Sequence, residues 1–122
     1  MRKILVVTSS GAEEGLLQPV MRRIKENQNL ELQVFLGHDE WSTPLSILAN
    51  EFEDFLEKSK PDIIVIPCDR RESVVYAMIA FYANLPIIHV YGGTFGSGIH
   101  DEITRFIVSK YSHIILCEDD EA

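Results

Sequence analysis

Positive charge is scarce in this chain. Eleven lysines and arginines stand against nineteen aspartates and glutamates, a formal net charge of −8. Nucleic-acid surfaces need basic stripes, so DNA and RNA are not expected partners. An anionic ligand would depend on local help from Arg70, Arg71 or helix N-termini. Long apolar runs are also missing. None approaches the roughly 20 residues of a membrane helix, so no membrane contact is expected. The start, MRKILVVTSS, has the basic opening of a signal peptide, but its apolar stretch is too short and no small-residue cleavage site follows. It reads as a first strand, and the cytoplasm is the expected location. There are only two cysteines, Cys68 and Cys117. Neither they nor His89, His100 and His113 show metal-ligand spacing, so no metal is expected; the cysteines read as small strand-end residues.

What is present is ordinary globular composition without repeats, linkers or low-complexity segments, read as one domain over residues 1–122. Five strand signals fall near 3–8, 31–36, 62–67, 86–91 and 113–117. Most are continuous apolar runs rich in β-branched residues, as parallel strands covered on both faces are. The second alternates, with Leu30, Leu32, Val34 and Leu36 on one side, and suggests an edge strand.

Helix signals fall near 12–28, 44–59, 71–84 and 101–111. The first opens with a capping box of Ser10 and Glu13 and gathers Leu16, Leu17, Val20, Met21 and Ile24 on one face. Pro19 within it predicts a kink or a late start near Gly15. The second opens with Thr43 as N-cap and Pro44 in the first helical position, and its stripe is Leu45, Leu48, Phe52, Phe55 and Leu56. The third is apolar nearly all round, which predicts deep burial. The fourth carries Ile103, Phe106, Ile107 and Tyr111.

Regular alternation predicts a three-layer α/β/α fold of Rossmann or flavodoxin type. Right-handed crossovers and a short second connection favour a five-stranded parallel sheet of order 2-1-3-4-5. In such sheets ligands bind beyond the carboxyl ends of the strands at the switch point, here between strands one and three. Three loops converge there. TSSGAEEG offers Ser9, Ser10, Gly11 and a helix N-terminus, which suits an anion but also serves as an ordinary cap. Neither the P-loop nor the full dinucleotide fingerprint is present. PCDRRES offers Asp69 as an acid, base or hydroxyl ligand, or alternatively as a helix cap; Arg70 and Arg71 could pair with it or hold an anion. YGGTFGSGIHDE holds Gly92, Gly93, Gly96 and Gly98, more than a turn needs, so a ligand could approach the backbone closely. Asp101 and Glu102 then open the last helix, with Arg105 one turn on. They are either site residues or dipole-favoured acids with an ion pair.

These stretches carry a resemblance. KILVVTSSGAEEGLLQPV, KPDIIVIPCDRRES, AFYANLPIIHVYGG and HDEITRFIVSKYSHIILC are similar, in that order, to the N-terminal domain of the UDP-N-acetylglucosamine 2-epimerases, including hydrolysing members. The resemblance implies two Rossmann-like domains, each one half of the site, in an enzyme of amino-sugar metabolism. Such enzymes eliminate UDP and abstract the C2 proton, using carboxylates of the N-terminal domain; the second domain largely holds the diphosphate and uridine. By resemblance Asp69, Asp101, Glu102 and Arg105 match catalytic positions, and Ser9, Ser10, Gly11, Arg70, His89, Gly92 and Gly93 the substrate side. No cofactor is implied.

The departures matter equally. Gly11 stands where the family has an arginine. Tyr91, or in another alignment Thr94, stands where it has a glutamate. The stretch 37–44 is shorter than in the family, as if a strand were deleted, and the chain stops before the remainder of the first domain and all of the second. The expected function is therefore a sugar-side half-site for a nucleotide sugar, not catalytic alone, with a second-domain subunit as partner. A non-catalytic ligand-binding or interaction module is the alternative. A flavodoxin-like protein with FMN on Trp41 or Tyr91 is a third reading. Phe81, Tyr82, Phe95 and Trp41 are candidates for a homodimer contact or for the core.

Overall fold

The computed structural model describes residues 1–8, 11–37, 43–67, 71–90 and 114–116. The elements are β1 (Arg2–Thr8), α1 (Gly11–Glu26), β2 (Leu30–Leu36), α2 (Leu45–Ser59), β3 (Ile63–Pro67), α3 (Arg71–Tyr82), β4 (Ile87–Val90) and β5 (Ile114–Leu116). The strands form one five-stranded sheet of order β2-β1-β3-β4-β5, and every pairing is parallel. This is the expected fold and strand order. The fourth helix expected near 101–111 lies outside the described residues.

Each face of the sheet carries its own core. On one side Ile4, Val6, Val65 and Val90 meet Leu17, Met21 and Ile24 of α1. On the other, Leu5, Val7, Ile64, Ile66 and Ile87 meet α2 and α3. Successive residues of β1 thus serve opposite faces, as the period of a strand requires. The second core is the aromatic one. Phe35 makes edge-on contacts with Phe52, Phe55 and Tyr76 at centroid distances of 5.2, 5.0 and 5.5 Å. Such pairs contribute beyond the area they bury.

Local details refine the sequence reading along α1, α2, β2 and α3. Helix α1 does not start late: it runs from Gly11 with Pro19 inside it. Gly15 and Pro19 are both exposed, so the carbonyl that loses its helical partner faces water. Thr43 is not the cap of α2. Pro44 holds that place at φ −58 and ψ 141, without a side-chain cap bond, and its carbonyl accepts from the N–H groups of Ile47 and Leu48. Leu45 lies outside the buried stripe of α2, half exposed, while Leu48 and Phe52 are fully covered.

Strand β2 is the edge strand expected, yet its Leu30-to-Leu36 side is the poorer one. Leu30 and Leu32 are partly packed and Val34 and Leu36 exposed, whereas Phe35 from the opposite side is buried. Lastly, α3 is not buried all round. Val75, Tyr76, Ala77 and Ala80 face the core, and Met78, Phe81 and Tyr82 face outward.

Candidate functional site

The order of the sheet places its switch point between β1 and β3, since β1 pairs with both β2 and β3. Thr8, Leu36, Pro67 and Val90 are the carboxyl-terminal residues of the first four strands. At this edge the fold buries polar groups. Among the described residues the buried polar or charged side chains are Thr8, Glu72, Ser73 and His89. Thr8 ends β1, Glu72 and Ser73 sit in the first turn of α3, and His89 is one residue from the end of β4. Burying polar groups costs free energy unless partners are supplied, so their concentration at one edge sets that edge apart.

Short contacts brace the same edge. The Gly37 N–H donates to the Thr8 carbonyl at 2.7 Å, closing β2 onto β1 beyond the ladder. The Ser73 hydroxyl donates to the Pro67 carbonyl at 3.3 Å and ties the head of α3 to the end of β3. The two ends of the loop that carries Asp69 and Arg70 are thereby held together. Arg71 donates through Nη2 to the Thr43 carbonyl, so the loop leading into α2 is pinned to the head of α3. Its Nε lies 3.9 Å from Oε1 of Glu72, a carboxylate that is 3% exposed.

Tyr76 completes the brace: its hydroxyl packs against the Cα of Gly37, where any Cβ would collide with it. This is a close approach that only glycine allows.

The predicted site residues fare unevenly. Gly11 is the first residue of α1. His89 lies in β4 between Ile66 and Ile115 in the register and is fully buried. Arg71 is turned to Thr43 and Glu72, so it serves the scaffold. Ser9, Ser10, Asp69, Arg70, Gly92, Gly93, Asp101, Glu102 and Arg105 lie outside the described residues, as do Cys68, Cys117, Trp41 and Phe95. No cluster of three or more His, Cys, Asp or Glu suited to a metal occurs among the described residues. No helix among them is long and apolar enough to cross a membrane.

Sequence reasoning missed Thr8, Glu72, Ser73 and Gly37. A signal was available for Glu72, which precedes Val75 and Tyr76 by three and four residues and so shares their inward face.

Sheet order and switch point define a Rossmann-like α/β domain. Comparison narrows the class. The family model described as UDP-N-acetylglucosamine 2-epimerase matches residues 1–122, and the chain belongs to that family. A relative from Legionella pneumophila, UDP-N,N'-diacetylbacillosamine 2-epimerase (hydrolyzing), is 25% identical over 93% of this chain and 39% of its own length. The UDP-N-acetylglucosamine 2-epimerase of Neisseria meningitidis is 23% identical over 100% of this chain and 40% of its own. The chain therefore spans about two fifths of these relatives.

Solved structures share the fold. The UDP-GlcNAc 2-epimerase of Methanocaldococcus jannaschii superposes with a TM-score of 0.86 at 18% identity, over 97% of this chain and 40% of that one. The Neisseria meningitidis enzyme bound to UDP-GlcNAc gives 0.84 at 18% identity, over 94% and 39%.

Proposed function

We propose that this chain is the sugar-facing half of a nucleotide-sugar 2-epimerase site, incomplete without a second domain. The observation that carries the reading is the gathering of Thr8, Glu72, Ser73 and His89 at the carboxyl edge of the sheet, in a member of the 2-epimerase family. In this reading the 122 residues form one unit. Its braces present three loops, with Ser9, Ser10 and Gly11 in the first, Asp69 and Arg70 in the second, and Gly92 and Gly93 in the third. Asp69, Asp101 and Glu102 handle the protons and Arg105 neutralises charge near them. By the same family resemblance His89 belongs to the substrate side. The ligand is a UDP-sugar, bound without metal or cofactor, and the uridine side belongs to the partner domain.

Gly11 and Tyr91 or Thr94, which replace an arginine and a carboxylate of the family pattern, make turnover by this chain alone the lesser prospect. Loss of one positioned acid or base commonly costs about a hundredfold or more. A cytoplasmic setting and self-association into a homodimer belong to the same reading.

Saturation-transfer NMR on UDP-N-acetylglucosamine tests it, because the ligand's own protons report which end touches protein. The sugar-ring and acetamido protons should saturate more strongly than those of the uracil. Stronger saturation of the uracil would overturn the sugar-facing assignment, and none at millimolar ligand would leave only an interaction module.

A further inference from the structure

The sheet ends on one side at β2, and among the described residues no strand pairs with its outer edge. An open edge is a template for another strand, and proteins guard such edges with proline, lysine, a bulge or short length. Strand β2 has none of these guards. It runs for seven residues, LELQVFL, with Glu31 as its one charge. Its register with β1 is unbroken from Leu30 to Leu36. Val34 is 43% exposed and Leu36 69%.

The backbone shows which groups face outward. The Asn29 carbonyl accepts from the Arg2 N–H at 3.1 Å, and the Gly37 N–H donates to the Thr8 carbonyl at 2.7 Å. Odd-numbered residues of β2 therefore bond to β1. Alternate residues of a strand turn their backbone groups to opposite sides, so Leu30, Leu32, Val34 and Leu36 turn theirs to the open edge. Of these, the Leu30 N–H is already taken by the Asn27 carbonyl. The side chains of the same four residues share the α1 side of the sheet. A groove of about 650 Å³ lies there, lined by Leu30 and Leu32 of the strand and by Met21, Arg22 and Lys25 of α1. Leu36 stands at the other end of the strand and is not part of the groove.

From this we infer that two copies of the chain join edge to edge, β2 antiparallel to β2 about a two-fold axis at Gln33, so that the two sheets become one. The inference rests on the self-association proposed above, gives it a surface and is independent of the ligand. Three features select a second copy as the occupant. A two-fold contact must be complementary to itself. With Gln33 opposite Gln33, Leu32 faces the partner's Val34 and Leu30 the partner's Leu36, and these are the pairs whose backbone groups point across the edge. Shape agrees: the exposed Leu36 of each copy comes over the partner's Leu30, at its groove. Charge agrees as well. The register sets Glu31 opposite the partner's Phe35, well away from the partner's Glu31. Phe35 touches Phe55 of α2 at 5.0 Å, and Lys58 follows three positions later, exposed and on the side of α2 away from the α3-facing Glu53 and Lys60. Glu31 of each copy thus comes within reach of Lys58 of the other, a pair of opposite sign across the strands.

Sedimentation equilibrium on the wild-type protein over a wide concentration range should give a monomer–dimer equilibrium. Val34→Lys and Leu36→Lys should each weaken it about tenfold or more. Glu31→Lys should weaken it less, and adding Lys58→Glu should restore it. Tyr82→Glu, on α3 and away from this edge, should leave it unchanged. Positions 34 and 36 are exposed, so melts at concentrations where the chain is monomeric should not move. Hydrogen exchange on the wild type gives a second reading that needs no variant. As concentration rises, the amides of Leu32, Val34 and Leu36 should gain protection, while those of Gln33 and Phe35, already bonded to β1, should change little. A protein monomeric at every concentration would overturn both the surface and the self-association. A dimer unmoved by Val34→Lys and Leu36→Lys, or without that alternation in protection, would overturn the edge pairing alone.

Discussion

The two ends of the sheet are built to different rules. At the carboxyl end, Thr8, Glu72, Ser73 and His89 are buried and side-chain bonds reach between elements that are distant in sequence, as from Arg71 to Thr43. At the amino end side-chain bonds also reach between elements, from the Lys3 N–H to the Asp62 carboxylate and from Gln33 to the Ser59 carbonyl, but none of those four buried side chains lies there, and backbone caps close the helices. Lys60, left-handed at φ 46, donates to the Leu56 carbonyl at 2.9 Å. Asn84, left-handed at φ 62, is followed by Leu85, whose N–H reaches the Ala80 carbonyl. These are ordinary helix endings. A groove of about 720 Å³ between α2 and α3 lies at this end, lined mainly by apolar side chains. The contrast teaches that an open apolar groove is not by itself the best candidate for chemistry. The buried side chains of Thr8, Glu72, Ser73 and His89 mark the end where chemistry is proposed.

Substitutions at one end should leave the other end undisturbed, and the comparison can be broken on that basis. The largest expected effect is at Asp69. With a complementing second domain present, Asp69→Asn should lower turnover about a hundredfold or more, leaving the dimer constant and the melting temperature where they were. A parallel loss of dimer would mean that the site and the edge of the sheet are coupled. Next comes Gly37→Ala. Its Cβ would collide with the Tyr76 hydroxyl, an overpacking that should cost about 1–3 kcal/mol in urea denaturation. Tyr76→Phe in the same chain removes the obstructing atom and should recover most of that loss, a coupling that a double-mutant cycle reads directly. If the second change recovers nothing, the hydroxyl is not the obstacle. The smallest effect is at Ser73. Ser73→Ala removes the bond to Pro67 and should cost about 1 kcal/mol, while leaving self-association intact.

Much of the fold was legible because its strands are buried on both faces. Stretches such as KILVVT and DIIVIP read as parallel strands without help from tertiary context, and the short turn between β2 and α2 pointed to β2 as the edge. What misled was apolar content without direction. The composition of α3 cannot distinguish the side that packs on Ile64 and Ile87 from the side that shows Tyr82 to solvent, since both are apolar. The same ambiguity hid Phe35, whose neighbours Val34 and Leu36 suggested the opposite face.

The cap of α2 was misread for another reason. Thr43 has the right chemistry for a cap, but its carbonyl is engaged by Arg71 from a helix 28 positions away in sequence, which no local pattern reveals. The site was legible only as loops. The switch-point rule singled out the loops carrying Asp69, Gly92 and Asp101 as the expected site, whereas the brace of Thr8, Gly37, Ser73 and Tyr76 depends on contacts between elements.

One measurement tests the central claim most directly: amide correlation spectra of the protein titrated with UDP-N-acetylglucosamine, read at both ends of the sheet. The account predicts saturable shifts at Thr8, Gly37, Ser73 and Val90, and none at Tyr82 or Leu85. Shifts confined to the groove between α2 and α3, or none anywhere at millimolar ligand, would contradict it.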